Sequence, residues 1–196
     1  MVLHNLPQNF AVYFPQNFFY REVHDRWMPI IKKMLLPYMS VEDYMNAQIQ
    51  SIDLPQINMP SQNQQAGRYT LSKRPGMALD EAMDKSLSIT FKLTEGYTSY
   101  FIMRHQFDLY FQILKTKPLY WSPICVDLLD DFGHAIITYE QEQITPETMS
   151  NLSLSYAAKL GSYNTFDVTM KYNYFNIWYY NESNGVMTLD KTIRNI

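Results

Sequence analysis

Nine residues near the C-terminal end, Phe166 to Tyr174, limit what this chain can fold into. Phe166, Val168, Met170, Tyr172 and Tyr174 alternate with Asp167, Thr169, Lys171 and Asn173. A period of two defines a strand with one apolar and one polar face. At Tyr174 and Phe175 the phase flips, and Phe175, Ile177 and Tyr179 become the apolar set. Such a flip marks a bulge, or a strand that leaves one packing environment for another. Upstream, Leu152, Leu154 and Tyr156 alternate with Asn151, Ser153 and Ser155, which predicts a partner strand joined through Gly161 and Ser162.

The rest of the chain supplies elements around this hairpin. Asn9 to Phe14 predicts a first strand closed by Pro15. From Arg21 to Leu36, Val23, Trp27, Ile30, Ile31, Met34 and Leu35 recur at helical spacing, with Pro29 inside the pattern as a start or kink and Pro37 as a stop. Glu42 to Leu54 reads as a strand, with Met45, Ala47 and Ile49 on one side and Tyr44, Asn46, Gln48 and Gln50 on the other. Pro55 to Lys85 loses periodicity. It predicts a long polar loop broken by a strand at Arg68 to Lys73 and a helical turn near Leu79 to Met83. Structureless loops beyond about 12–15 residues are usually functional.

Ser86 to Leu93 alternates without error, with Leu87, Ile89, Phe91 and Leu93 inward. Thr98 can cap a helix reaching Lys115, with a stripe of Phe101, Phe107, Phe111 and Leu114 broadened by Tyr100, Met103 and Tyr110. Strands at Pro123 to Leu129 and His134 to Gln143 flank the hairpin signal Asp130-Asp131-Phe132-Gly133. Asn184-Gly185 predicts a last turn, with a short strand from Val186 to Leu189. Runs of strands with one packing helix mean an α+β fold, mainly antiparallel, of sandwich or barrel type.

Chemistry-bearing constellations are sparse. His4, His24, His105 and His134 are never four apart, so no helical metal pair exists. His105 and His134 read as solvated or locally bonded. Asp130-Asp131 reads as a turn rather than a Ca²⁺ loop, and Glu140 with Glu142 as a solvated face rather than an acid/base pair. Cys125, the single cysteine, sits in an apolar run and reads as a buried small hydrophobe. No phosphate loop or nucleophile elbow occurs. Formal charge is 16 − 19 = −3, which gives no grip on nucleic-acid phosphates. Aromatics reach 15%, with 16 Tyr, a composition suited to packed sheets and broad interfaces. No apolar run is long enough to span a membrane, and no secretory leader is visible. Residue chemistry alone gives a non-enzymatic binding or assembly protein with no cofactor and no metal.

Five pieces in order carry a family resemblance: the strand N-F-A-V-Y-F, the step Ile52-Asp53-Leu54-Pro55 before a long loop, the strand S-L-S-I-T-F-K-L entering a Phe-rich helix, Pro146 between two late strands, and the closing strand Phe166 to Tyr174. Together, over residues 9–180, they resemble the tail tube protein of contractile-tailed bacteriophages, related to the inner tube proteins of contractile injection systems. Thr145 departs from the family's aromatic residue before that proline. The Arg21–Leu36 helix and the segment 181–196 look like additions to a single tail-tube domain.

The resemblance implies homohexameric rings stacked into a hollow tube that conducts the genome during ejection. It implies tail sheath and baseplate proteins as partners and a place in the virion tail, assembled in the host cytoplasm. It leaves open a repeating tube subunit or a ring at the tube's end. Each subunit would give strands to a barrel closed between subunits, which removes free sheet edges. Six copies of −3 give −18 per ring, a charge that repels DNA phosphates. Candidate bore-lining residues are Asn46, Gln48 and Gln50 of the early strand, or Asp167, Thr169, Lys171 and Asn173 of the closing strand. The alternative is that these faces are simply the outer solvated surface. Candidate ring-stacking residues in the long loop are Gln56, Asn58, Gln62, Gln64 and Arg68. A second function class is an aromatic-rich β-sandwich that binds carbohydrate in host recognition, with Trp178-Tyr179-Tyr180 stacking on sugars.

Overall fold

A computed structural model describes residues 10–54, 62–66, 69–73, 85–115, 119–152, 164–183 and 186–194. Its elements run β1 (Phe10–Tyr13), α1 (Arg21–Lys33), α2 (Val41–Asn46), β2 (Ile49–Asp53), β3 (Gln62–Ala66), β4 (Tyr69–Lys73), β5 (Ser86–Lys92), α3 (Thr98–Leu114), β6 (Ile124–Leu129), β7 (Ala135–Glu142), β8 (Thr145–Met149), β9 (Thr165–Lys171), β10 (Tyr174–Ser183) and β11 (Val186–Arg194). All pairings are antiparallel. They form a five-stranded sheet ordered β1-β6-β7-β10-β11, a four-stranded sheet ordered β2-β5-β9-β8, and the two-stranded hairpin β3-β4. The α+β, mainly antiparallel expectation holds.

The two larger sheets share one core. Val12, Ile124 and Val126 of the first and Leu87, Ile89, Phe91, Phe166, Val168 and Met170 of the second are buried in a single cluster. The phase flip at Tyr174 and Phe175 is where the chain changes sheet. β9 pairs with β8 in one sheet, and β10 pairs with β7 in the other. β7 and β8 make the same change, so one two-stranded ribbon turns a corner from sheet to sheet. At the corner, Asn173 Nδ2 donates to Gln143 Oε1 (3.0 Å), and the Asn173 amide donates to the Glu142 carbonyl (3.2 Å). Gln143 takes φ +54°, which gives the bend its sharpness at some backbone cost. Tyr172 and Phe175, inward on either side of the corner, bring their rings to 6.4 Å.

Between β1 and α1 the chain runs through the core. Phe14, Phe18 and Phe19 are buried, with Phe14 stacked on Phe91 (6.2 Å) and Phe18 edge-on to Trp121 (5.3 Å). A buried non-regular segment needs partners for its backbone polar groups. Gln106 of α3, fully buried, supplies two: its Nε2 donates to the Phe18 carbonyl and its Oε1 accepts from the Tyr20 amide, both at 3.0 Å. The Glu42 carboxylate, also buried, accepts from His24 Nε2 at 2.9 Å and from the Phe19 amide at 3.5 Å. His105 Nδ1 accepts from Trp27 Nε1 (3.3 Å), tying α1 to α3. Burial, then Arg26, holds the His105 imidazole below its ordinary pKa.

Several sequence expectations need correction. The period-two reading of Glu42 to Leu54 is wrong over its first half, because Val41–Asn46 is helical. Ser40 caps it, Oγ accepting from the Asp43 amide at 3.0 Å, and Val41, Tyr44 and Met45 bury one helical face. The first helix runs through Pro29 from Arg21 rather than starting there. Thr98 is the first helical residue of α3, not its cap. The turn before it is held by Thr94 Oγ1, which accepts from the Ser99 amide at 3.2 Å. Of the stripe expected on α3, Phe101, Phe111 (50% exposed) and Leu114 face outward; Tyr100, Ile102, Met103, Gln106, Phe107 and Tyr110 face the core.

The strand that pairs with β9 on the side away from β5 is Thr145–Met149, with Pro146 inside it. This is an edge strand, where proline's missing N–H is tolerated. The strand expected at Leu152, Leu154 and Tyr156 and its turn at Gly161 and Ser162 lie almost wholly outside the described residues. β11 runs to Arg194, longer than expected. Within Pro55 to Lys85 the strand expected at Arg68 to Lys73 is β4, and it pairs with β3, which was not expected, with Gln62 opposite Lys73 and Ala66 opposite Tyr69. The helical turn expected near Leu79 to Met83 lies outside the described residues.

Two buried glutamines should respond oppositely to removal of their amide. Gln106→Leu leaves the Phe18 carbonyl and Tyr20 amide unpaired and should cost about 2–5 kcal/mol. Gln141, fully buried with neither amide atom hydrogen-bonded among the described residues, should tolerate methionine with a gain of about 1–3 kcal/mol. Urea unfolding midpoints of the two variants check both signs.

Candidate functional site

Each large sheet has a second face, turned away from the shared core, and the two second faces differ in chemistry. In the four-stranded sheet, β5 and β9 lie in unbroken register: Ser86 opposite Lys171, Ser88 opposite Thr169, Thr90 opposite Asp167, Lys92 opposite Thr165. Their intervening partners, Leu87 with Met170, Ile89 with Val168 and Phe91 with Phe166, fill the core. β2 adds Ser51 and Asp53 beside Thr90 and Ser88, and β8 adds Thr145 and Thr148 beside Lys171 and Thr169. This face is built of Ser, Thr, Asp and Lys across all four strands.

Its charges are spread out and locally tied. Thr90 Oγ1 donates to Asp167 Oδ1 at 2.7 Å, and the Asp167 amide donates to Ser150 Oγ at 2.9 Å. Lys171 Nζ reaches Glu147 Oε1 at 2.7 Å. Asp53, Asp167 and Glu147 stand against Lys92 and Lys171, three carboxylates to two ammonium groups. Lys171 and Glu147 are tied to one another while both remain partly exposed.

The structure therefore brings Asp167, Thr169 and Lys171 together, as the alternation predicts, and separates the others from them. Asn46 lies at the end of α2, where its Oδ1 accepts from the Phe14 amide (3.0 Å). Gln48 lies in the following turn, its Nε2 donating to the Tyr44 carbonyl (3.4 Å). Gln50 is exposed on β2 where the register with β5 shifts between Ile49 and Ser51. Asn173 sits at the sheet-to-sheet corner, beyond β9. Gln62 and Gln64 lie on β3, while Gln56, Asn58 and Arg68 lie outside the described residues. Sequence reading did not attach Ser88, Thr90 and Lys92 to this face, although their outward phase was visible. Ser51, Asp53 and Glu147 join it through pairing between distant segments.

The five-stranded sheet's second face mixes aromatic and acidic groups on β1, β6, β7 and β10, and β11 adds Lys191 and Arg194 in register with Trp178 and Asn176. Tyr13, Ile136 and Tyr174 are exposed there. Glu140 and Glu142 are bridged by Asn176, whose Nδ2 donates to Glu140 Oε2 (3.2 Å) and Glu142 Oε1 (2.7 Å). Trp178 Nε1 donates to the same Glu140 oxygen at 2.9 Å, and the Thr138 hydroxyl donates to Asp127. Cys125 lies beside Glu140 in register and is half-buried, not fully buried. Burial, reinforced by Glu140 and Asp127, pushes its thiol up to about 11. Among the described residues no group of three His, Cys, Asp or Glu side chains could hold a metal ion, and no helix is long and apolar enough to cross a membrane.

No protein-family model matches the chain, and no curated protein sequence matches it. Solved structures do resemble it. A chain of the anti-feeding prophage baseplate is similar at 10% identity and a TM-score of 0.48, over 90% of this chain and 97% of that one. A chain of the anti-feeding prophage tube-terminating cap is similar at 9% identity and a TM-score of 0.48, over 91% and 93%. Hcp1 from Salmonella typhimurium is similar at 10% identity and a TM-score of 0.43, over 92% of both.

The Cys125 environment makes a measurable prediction. With its pKa near 11 against an ordinary 9.0, the folded protein holds roughly a hundredfold less thiolate at pH 8 than an unperturbed cysteine would. Alkylation by iodoacetamide should be correspondingly slow in the folded chain, accelerate as pH rises toward 11, and become fast on unfolding in urea.

Proposed function

We propose that this chain is a structural subunit of the hollow inner tube of a contractile tail or related injection apparatus. Six copies form a ring, and the polar face of the four-stranded sheet lines the bore. The observation that carries this reading is that face itself. It spans four strands with no apolar position among the register partners, and its charges nearly cancel. A bore that passes a polyanion must be wetted yet offer no row of cations, because each phosphate contact adds salt-sensitive affinity. The edge strands of the sheet, β2 and β8, have no further strand partner among the described residues, so neighbouring copies can continue the sheet and close it.

In this reading the chain is one tail-tube domain. The 55–85 segment, with its β3-β4 hairpin, contacts the next ring. α1 and the segment 181–196 are elaborations, and sheath and baseplate proteins bind outside. The subunit belongs either to the repeating tube or to the ring at its end. The passing cargo is the phage genome, and the assembled position is the virion tail.

Two experiments test the reading. Negative-stain images of purified protein should show six-membered rings, or tubes at high concentration; light scattering that reports a stable monomer at high concentration sinks it. The triple variant Ser88→Lys, Asp167→Lys and Thr169→Lys should still assemble but retain duplex DNA at low salt. The slope of log affinity against log salt should steepen by about 0.9 for each phosphate newly contacted. Assembled variant tubes that bind DNA no better than the wild type would place this face outside the bore.

A further inference from the structure

Hydrogen bonds fasten α1 to the two other helices, and two of them use histidine in opposite senses. At its start the Tyr20 amide donates to Gln106 Oε1 at 3.0 Å. One turn on, His24 Nε2 donates to the Glu42 carboxylate of α2 at 2.9 Å. Further along, Trp27 Nε1 donates to His105 Nδ1 of α3 at 3.3 Å. An indole nitrogen can only donate, so His105 Nδ1 carries no hydrogen while this bond stands. The His105 ring is then neutral, with its hydrogen on Nε2.

A proton affects the two histidine contacts differently. The Glu42 contact survives protonation of His24, because Nε2 carries a hydrogen in both states of the ring. The Trp27 contact does not survive protonation of His105. Nδ1 gains a hydrogen, and two donors then face one another with no acceptor between them. The surrounding charges sharpen the effect. Arg26 of α1 lies 5.6 Å from the centre of the Trp27 ring, so a second cation at His105 meets its guanidinium. Glu22 of α1 and Asp108 of α3 favour the charged ring, and Asp108 is itself tied to Arg104 at 3.2 Å. Burial, then Arg26, outweigh them, so the folded ring titrates below its ordinary 6.5. The open form therefore takes up a proton more readily than the closed one. The contact is at full strength above pH 6.5 and is lost as pH falls through the lower folded value. Val23 and Ile31 anchor the two ends of α1 by burial, whereas Trp27, between them, is only partly buried.

We propose that His105 is an acid-operated latch on α1: neutral, it clasps Trp27 to α3, and protonated, it releases the indole so that the middle of α1 opens from α3. Gln106 and Glu42 keep the start of the helix tethered in both states. The latch lies within one chain and works whether or not rings form, so it stands apart from the tube reading.

The test follows the indole N–H signals of the three tryptophans by NMR from about pH 8 to about pH 5, with Trp27→Phe assigning the Trp27 signal. In the wild type the Trp27 signal should move with a midpoint below 6.5. Amides of α1 around Trp27, corrected for intrinsic exchange, should lose protection over the same range while those of β5 and β9 keep theirs. His105→Gln supplies an amide oxygen that accepts from the indole and does not titrate, so its Trp27 signal should stay in place. His24→Gln should leave the wild-type titration intact. A wild-type Trp27 signal that ignores pH overturns the proposal without recourse to any variant. A titration that persists in His105→Gln, or vanishes in His24→Gln, assigns the proton to another group and overturns it as well.

Discussion

The structure depends on carrying a non-regular stretch of chain through its core. Phe14, Phe18 and Phe19 are the hydrophobic filling between the two sheets and α3, and burying each ring contributes about 1.5–3 kcal/mol. Side chains of this size arrive with backbone that no ladder satisfies. Gln106 and Glu42 resolve the conflict, one amide and one carboxylate taking over hydrogen bonds that water would otherwise make. The same contacts fix the helices. Glu42 lies on α2 and bonds His24 on α1, while Gln106 lies on α3, so the three helices are positioned through the segment they clasp.

With the Phe14–Phe19 segment satisfied from within, the outward faces of the sheets carry different chemistry. The four-stranded sheet turns out a wetted surface of short hydroxyls and tied charges. The five-stranded sheet turns out aromatic rings around oriented carboxylates. In the tube proposed above, this division would give a wall with one side toward water and cargo and the other toward protein.

Strict alternation made β5 and β9 legible from sequence, as did the Asp-Asp-Phe-Gly turn for the β6-β7 hairpin. The change of phase at Tyr174 and Phe175 correctly marked a change of packing environment. Where reading failed, the deciding contact was distant. α3 is apolar around most of its circumference, so only docking against Phe18 and Trp121 decides that Phe107 is inside and Phe111 outside. α2 was hidden because one of its buried residues is Glu42, which no hydrophobic pattern counts. β8 carries Pro146 and no alternation, and is a strand because β9 pairs with it. The candidate site divides in the same way. Asp167, Thr169 and Lys171 follow from local period, whereas Asp53 and Glu147 reach that face through pairings between remote parts of the chain.

The corner at Gln143 and Asn173 has a mechanical meaning. Two covalent strands, hydrogen-bonded to each other, pass from one sheet to the other side by side. Sliding the sheets past one another along that ribbon would have to shear paired strands in both layers at once, which loads many backbone bonds in parallel. Each layer is therefore stiff against displacement of the other. If the inner layer were dragged by a passing polymer, the load would pass directly to the outer layer and whatever grips it, without a hinge between them.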